Sequence, residues 1–371
     1  MTNQLSRNGV VYLHGRAKFH SDHEIELLSV DGARQLLSAN IIVLATGSRP
    51  RLTSDIPIDH EHILDSDSLL SMIYLPRSLT VVGGGVIACE YASIFSLLGV
   101  QVTVIDKASR PLQFLDREIV ETFQKSFEQH GGRYHGGRTV KEATWDGVSH
   151  VKALLDNDVT ISSEKMLVAV GRQANIEGLN LEAAGLAVNA KGTLSVNEYG
   201  QTAVAHIYAA GDMLGAPALA SSAMEQGRRA VCHALDLPVG HSLNQIPLGI
   251  YTLPEISSIG LDEEAARLRY RGPLVGRARF SEIARGQISG ASDGLLKMVA
   301  DPSGERLLGL QIVGDEAAEL IHVGQVALQH AATIDFFVDS IFNFPTLAEA
   351  YRVAALDILG QRQRLRRSAA A

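Results

Sequence analysis

The stretch LTVVGGGVIACEYASIFSLLGVQVTVID, residues 79–106, decides the fold. It opens on the strand-like run Leu79-Thr80-Val81-Val82 and passes straight into Gly83-Gly84-Gly85. Tyr91 to Leu98 then reads as helical, and Val100 to Ile105 is a second apolar strand closed by Asp106. Strand, glycine turn, helix and strand form a βαβ unit, which predicts a parallel sheet. Within it, Gly83-x-Gly85-x-x-Ala88 has the spacing of a dinucleotide fingerprint. The first glycine permits a tight turn. The second lets a pyrophosphate approach the backbone, and the small third residue sets the packing of helix on strand. The helix start then offers unpaired N–H groups and partial positive charge to phosphates. Asp106 can accept both ribose hydroxyls of NAD and would repel a 2′-phosphate. Lys107 and Arg110 follow closely and could offset that repulsion, so NAD is favoured and NADP stays open. The blander alternatives are an ordinary glycine-rich turn and a solvated basic loop.

Three other strand ends share the pattern of glycine plus a polar residue. Ile41 to Ala45 is a continuous apolar run suited to a strand buried on both faces, and it ends in Thr46-Gly47-Ser48. Met166 to Val170 ends in Gly171-Arg172, and Ile207 to Ala210 ends in Gly211-Asp212. Each alone is weak. Together they suggest several strand C-termini facing one large ligand, as open α/β sheets arrange them.

The rest of the chain punctuates readily. Residues 1–45 read as short strands, with Asp31-Gly32 closing a hairpin. Residues 51–78 are polar and read as a crossover, and residues 117–130 as an amphipathic helix. Ala220 to Leu235 predicts another helix. From about residue 244 the texture changes. Leu295 to Ala300 and Leu307 to Val313 flank the turn Asp301-Pro302-Ser303-Gly304, a hairpin, and Glu316 to His330 predicts a helix.

Composition bounds the function. In 371 residues, 46% hydrophobic and 20% charged, there is ample material for packed cores, so a disordered or fibrous chain is excluded. The 33 basic and 41 acidic residues give a net charge of −8, which argues against nucleic acid as partner. No apolar run is long enough to span a bilayer and no signal peptide opens the chain, so the expected setting is cytoplasmic. Cys89 and Cys232 are the only two cysteines and form no CxxxxC or CxxC pair. A thiolate metal site or disulfide framework is not expected. The 13 histidines are scattered; His20 with His23 and His60 with His62 are the closest pairs, without a carboxylate and third ligand at helical spacing. No metal is expected.

Eight ordered segments carry a resemblance: LATGSRP (44–50), DSDSLL (65–70), GGGVIACEYASIF (83–95), VAVGR (168–172), IYAAGD (207–212), YTLPEISSIG (251–260), GDEAAELIHVGQ (314–325) and FNFPTLAEAYRVAA (342–355). With them the chain resembles the FAD-dependent pyridine nucleotide–disulfide oxidoreductase family, and within it the transhydrogenase branch. The resemblance implies Rossmann-like FAD- and NAD(P)-binding domains plus a C-terminal α+β dimerisation domain. Along the chain it implies part of the flavin domain at 1–76, the NAD(P) domain at 77–172, a return of the flavin domain at 173–243 and the interface domain at 244–371. It implies FAD contacts by Gly47 and Asp212, and cofactor binding by Thr46, Gly171, Arg172 and Gly211. It places the pyridine nucleotide, NAD or NADP, on Gly83, Gly85 and Asp106, with Ile87 and Glu90 facing the nicotinamide. A homodimer is expected.

Two departures shape the expectation. The family's redox dithiol is absent, and its general acid/base His is replaced by Phe344 before Pro345-Thr346. A Phe cannot move a proton, so disulfide reduction lacks both nucleophile and base. Glu349 remains, with a structural role expected of it. What survives is hydride transfer between NADPH and NAD⁺ by way of FAD. Second, no GxGxxG precedes Gly83, although a βαβ unit takes roughly 30 residues and family members begin with one that holds the ADP half of FAD. The chain is therefore expected to lack that unit, to expose apolar sheet edges and to hold FAD poorly. The competing expectation is a non-catalytic NAD(P)-binding remnant that dimerises without flavin; a dihydrolipoamide-dehydrogenase-like reductase is disfavoured by the missing cysteines.

Overall fold

The computed structural model describes residues 2–240 and 245–370. They form two compact units, Met1–Arg49 with Arg172–Ser242, and Pro50–Gly171 with Leu243–Ala371. The chain thus leaves its first unit at Pro50, well before residue 77, and the expected boundary at 243/244 lies outside the described residues.

The larger unit is organised by a five-stranded parallel sheet. Its order is Ile63–Leu64, Lys165–Val168, Ser78–Val82, Gln101–Asp106 and Arg133–Gly136. The βαβ unit read from residues 79–106 is its centre: Ser78–Val82 pairs with Gln101–Asp106, and the helix Val86–Leu97 crosses between them. Both strands are apolar because both faces are covered; Leu79 and Val81 are fully buried among Ala88, Ala92, Phe95 and Ile119. The strand Ile63–Leu64 lies in the segment read as a bare crossover. Two residues are too short to show a period, so the surrounding polar sequence hides it.

The amphipathic helix is Arg117–Gln129, capped by Asp116, whose carboxylate accepts from the N–H groups of Glu118 and Ile119. An antiparallel sheet of Val140–Trp145, Val151–Leu155 and Thr160–Ser163 follows. The C-terminal part of this unit is a five-stranded antiparallel sheet in the order Leu248–Ile250, Ile256–Gly260, Leu307–Val313, Leu295–Ala300 and Leu274–Arg279. The hairpin at 295–313 and the helix Ala317–Gln329 stand where the sequence puts them. That helix and Glu349–Ala370 cover a core of Leu310, Ile312, Phe337, Tyr351 and Ile358.

The smaller unit holds an antiparallel meander, Gly15–Phe19, Glu24–Ser29 and Arg34–Ser38, with Gly32 in the second turn as expected. A short helix, Thr2–Arg7, precedes it and was not legible in the sequence. Ile42–Leu44 pairs in parallel with Ile207–Ala209. Ile42 and Leu44 are buried while Val43 is half-buried, so this strand is covered less evenly than its unbroken apolar run suggests. Val11 and Tyr12 are 78% and 68% exposed. The helix Ala220–Ala234 completes the unit.

Candidate functional site

The residues singled out in the sequence fall into two groups, one on each unit. On the larger unit, the C-terminal ends of three adjacent strands meet at Gly83, Asp106 and Ala169. Gly83 sits at φ +119°, and a Cβ on it would lie 2.4 Å from the Ala169 carbonyl oxygen, so only glycine closes this turn. Gly85 caps the following helix in an extended conformation. A Cβ there would meet nothing within 4 Å. The glycine keeps open a hollow above the helix N-terminus, where N–H groups lack intrahelical partners.

Asp106 lies beside this turn. A Cβ on Gly84 would fall 2.2 Å from its Oδ2. Tyr134 stands next to it, its hydroxyl 3.1 Å from the Ala108 carbonyl and 3.4 Å from Asp106 Oδ2. Burial first, then the Asp106 carboxylate, pushes the Tyr134 hydroxyl well above its ordinary range and keeps it a donor. Tyr134 was not anticipated; the sequence carries no signal that ties it to residue 106. Arg110, expected to offset a 2′-phosphate, turns its guanidinium to the carbonyls of Gln113 and Leu115. It braces its own loop, and of the two basic residues only Lys107 is left for that purpose.

Ile87 is half-buried on the first turn of the helix. Glu90, one turn further, accepts the Tyr251 N–H at 2.8 Å, and Ser93 Oγ accepts the Leu253 N–H at 3.1 Å. The helix thus pins the loop at residues 251–254. Burial raises the Glu90 carboxyl above its usual range, with the Tyr251 N–H opposing. Glu90→Ala should cost about 1.5–3 kcal/mol, as for a hydrogen bond to a charged group, and Glu90→Gln, which keeps the acceptor, clearly less. Thermal unfolding of the two variants checks this. Cys89 is 2% exposed, and burial first, then Asp106 and Glu90, drives its thiol far above the ordinary range. It is no nucleophile.

On the smaller unit three strand ends converge. Ser48 Oγ accepts from Arg172 Nε at 2.7 Å and donates to Asp212 Oδ2 at 2.9 Å. Arg172 also reaches the Ser48 carbonyl at 2.8 Å. Thr46 donates its hydroxyl to the Asn175 carbonyl at 2.7 Å, and Gly47 accepts the Asn175 N–H. Thr46 is therefore spent on the backbone, while the space a Gly47 Cβ would take is open to 4 Å. Gly211 donates its N–H to Gln226 Oε1 at 2.8 Å. Ser222, on the helix after Asp212, has a buried hydroxyl with no protein partner. Gly171 belongs to the other unit, where its carbonyl accepts from the Arg51 N–H. The unexpected members here are Ser48 and Asn175; Ser48 was legible within TGSRP, Asn175 was not.

At the C-terminal motif Phe344 is 74% exposed, and the Glu349 carboxylate accepts the Thr346 N–H at 3.3 Å. The carboxylate fastens the start of the last helix.

Residues 1–227 match the model of pyridine nucleotide-disulphide oxidoreductases, and residues 246–355 match that family's dimerisation domain. The chain belongs to the pyridine nucleotide-disulphide oxidoreductase family. Its mixed α/β fold with a C-terminal dimerisation domain is the fold of that family. Among curated relatives, a soluble pyridine nucleotide transhydrogenase of Vibrio parahaemolyticus is 42% identical over 96% of this chain and 77% of its own length. Another, from Mycobacterium bovis, is 39% identical over 98% of this chain and 78% of its own. Among solved structures, LpdA of Mycobacterium tuberculosis superposes with a TM-score of 0.89 at 28% identity, over 96% of this chain and 79% of that one. The HOCl-induced flavoprotein disulfide reductase RclA of Escherichia coli, at 23% identity and a TM-score of 0.89, shares the fold. Among the described residues no helix is long and apolar enough to cross a membrane.

Proposed function

We infer that this chain is an oxidoreductase that moves hydride between NADPH and NAD⁺ with FAD as the relay, the activity for which its curated relatives are named. One observation carries the choice within the family. The chain has the nucleotide turn intact, yet its two cysteines are free and far apart in sequence, and Phe344 stands where a proton-moving His would be needed. Cys89 and Cys232 do not pair as a dithiol and a Phe cannot serve as its base, whereas hydride transfer requires neither.

The residues fit the two ligands. On the larger unit the hollow kept by Gly85 takes a pyrophosphate, Asp106 holds the ribose, and Ile87 and Glu90 border the nicotinamide. On the smaller unit the Arg172–Ser48–Asp212 chain, the open Gly47 and the orphaned Ser222 hydroxyl suit FAD. Bound there, FAD supplies the hydride acceptor and donor. The protein's part is to orient Asp212 through Ser48 and to present one nucleotide at a time at Gly83–Gly85. A homodimer assembled through residues 246–355 and a cytoplasmic setting complete the proposal, supported by the dimerisation domain and the unpaired thiols.

The test is purified protein assayed for flavin absorbance and for NADPH-dependent reduction of a spectrally distinct NAD⁺ analogue. Turnover without any reduction of lipoamide or glutathione disulfide supports the proposal. Colourless protein that binds NADH and turns nothing over favours the non-catalytic module instead. The ribose assignment has its own check. Asp106→Ser should weaken NADH relative to NADPH by about tenfold, the worth of one charge-assisted hydrogen bond. An unmoved ratio of dissociation constants would remove Asp106 from the site.

A further inference from the structure

We propose that Asp22, His23 and His206 on the smaller unit form a binding site for a borderline divalent transition-metal ion of the Zn²⁺ class. One ligand atom from each of the three lies within 4.8 Å of the other two. Sequence spacing could not reveal the group, because His206 and Asp22 are 184 residues apart.

Proximity is joined by a second observation, the tautomer that the backbone fixes on each imidazole. His23 Nδ1 lies 2.8 Å from the Ala39 carbonyl oxygen. His206 Nε2 lies 2.9 Å from the Asp22 carbonyl oxygen. A carbonyl only accepts, so each of these nitrogens carries its ring's proton. The other two nitrogens, His23 Nε2 and His206 Nδ1, are left as bare lone pairs. This is the outer-shell hydrogen bonding by which proteins fix the tautomer of a ligating His. The backbone beneath is held too: Ala39 donates its N–H to the His23 carbonyl, and Ile42 donates its N–H to the His206 carbonyl, both at 3.0 Å.

The rings themselves stack, with centroids 3.7 Å apart and planes 7° from parallel. An ion shared by both lone pairs tilts the rings out of that stack, a side-chain rotation that leaves the pinned backbone in place. Two imidazoles and a carboxylate are the donors of a three-ligand zinc site with open positions for water. Imidazole ligands also select against Mg²⁺ and Ca²⁺, which prefer an all-oxygen shell. Occupancy would clamp the turn at Asp22–His23 to the residue just before the strand Ile207–Ala209, and so stabilise the unit that carries Gly211-Asp212.

The experiment uses the whole purified chain, stripped with chelator, and the metal alone as probe. Calorimetric titration with Zn²⁺ should give one ion per chain. The Cu²⁺-loaded protein should show electron paramagnetic resonance with hyperfine coupling to two nitrogens. His23→Ala and His206→Ala should each lower Zn²⁺ affinity by at least about 100-fold and should each remove one nitrogen from the Cu²⁺ spectrum. A melting temperature raised by Zn²⁺ in the parent chain and unmoved in the double variant would agree. No saturable binding by the parent chain, a Cu²⁺ spectrum without two nitrogens, or equal affinity in parent and double variant overturns the proposal. The nitrogen count is read on the parent chain, so it stands even if a variant fails to fold.

Discussion

Gly85→Val is expected to fold normally and to lose nucleotide. The basis is the contrast between the two outer glycines of one turn. A Cβ on Gly85 has empty space to 4 Å, and the residue's φ of −82° and ψ of −173° suit any L-amino acid. The protein itself therefore gives no reason for glycine there beyond about 1 kcal/mol for replacing a helix N-cap. A ligand does give one. Branched carbons placed above the helix start occupy the hollow where a pyrophosphate would lie against the N–H groups. NADH affinity should fall by at least about 100-fold, ~2.7 kcal/mol, while the far-ultraviolet spectrum is unchanged and the unfolding midpoint moves by only a few degrees. Gly83→Ala should behave in the opposite way. Its Cβ would press on the Ala169 carbonyl at 2.4 Å from a backbone at φ +119°, so that variant should be recovered poorly or unfolded. Fluorescence titration beside thermal unfolding separates the two outcomes. If Gly85→Val binds NADH as tightly as the parent chain, the nucleotide does not lie on this turn.

That contrast also marks how far the sequence could be read. The glycine spacing, the two flanking strands and Asp106 are local features, so composition and period expose them. The convergence of Ser48, Arg172 and Asp212 was legible only in outline, as several strands each ending in glycine plus a polar residue. Which side chain would bridge them depends on a sheet register that no window of sequence contains. Arg110 shows the opposite failure. A basic residue behind a ribose-binding Asp invites a phosphate, yet its guanidinium reaches the Gln113 and Leu115 carbonyls within its own loop. Local backbone carbonyls without other partners compete for a nearby Arg and here win. Tyr134 and the Asp22–His23–His206 group depend wholly on tertiary contacts. Asp116 was invisible for the same reason. It caps the helix Arg117–Gln129, which the sequence does suggest, but its second partner lies 181 residues away.

Removing that partner should produce the largest loss of stability from any single side chain discussed here. Lys297 is 2% exposed. Its Nζ stands 2.8 Å from Asp116 Oδ2, 2.7 Å from Glu263 Oε2 and 3.2 Å from Glu118 Oε2. Arg277 bridges Glu118 and Glu263 at 2.7 and 3.1 Å, and Arg267 pairs with Glu263 as well. Lys297→Met fits the volume and takes from the buried Asp116 the cation that is hydrogen-bonded to it. Breaking a buried pair on one side costs about 3–5 kcal/mol, which at this size means a fall in melting temperature of roughly 5–10 °C. Asp116→Asn added to Lys297→Met should recover part of that, because the amide oxygen still caps the helix and no charge is stranded. The pH dependence has a definite sign. Burial alone would raise the Glu118 and Glu263 carboxyls, but Arg277 beside the first and Lys297 beside the second hold both below their ordinary range. Such depressed groups stabilise the fold above the unfolded carboxylate value of about 4.3, and that contribution is lost as pH falls through their folded values. In Lys297→Met, Glu263 loses its strongest opposing cation while Arg277 still faces Glu118, so the Glu263 carboxyl above all rises and takes up a proton more readily in the folded state. The gap in melting temperature between parent and variant should therefore be widest near neutrality and should narrow as the pH is lowered towards 4. Calorimetric scans across that range read it directly. A gap that stays constant, or widens in acid, would mean that Glu263 does not depend on Lys297 for its charge.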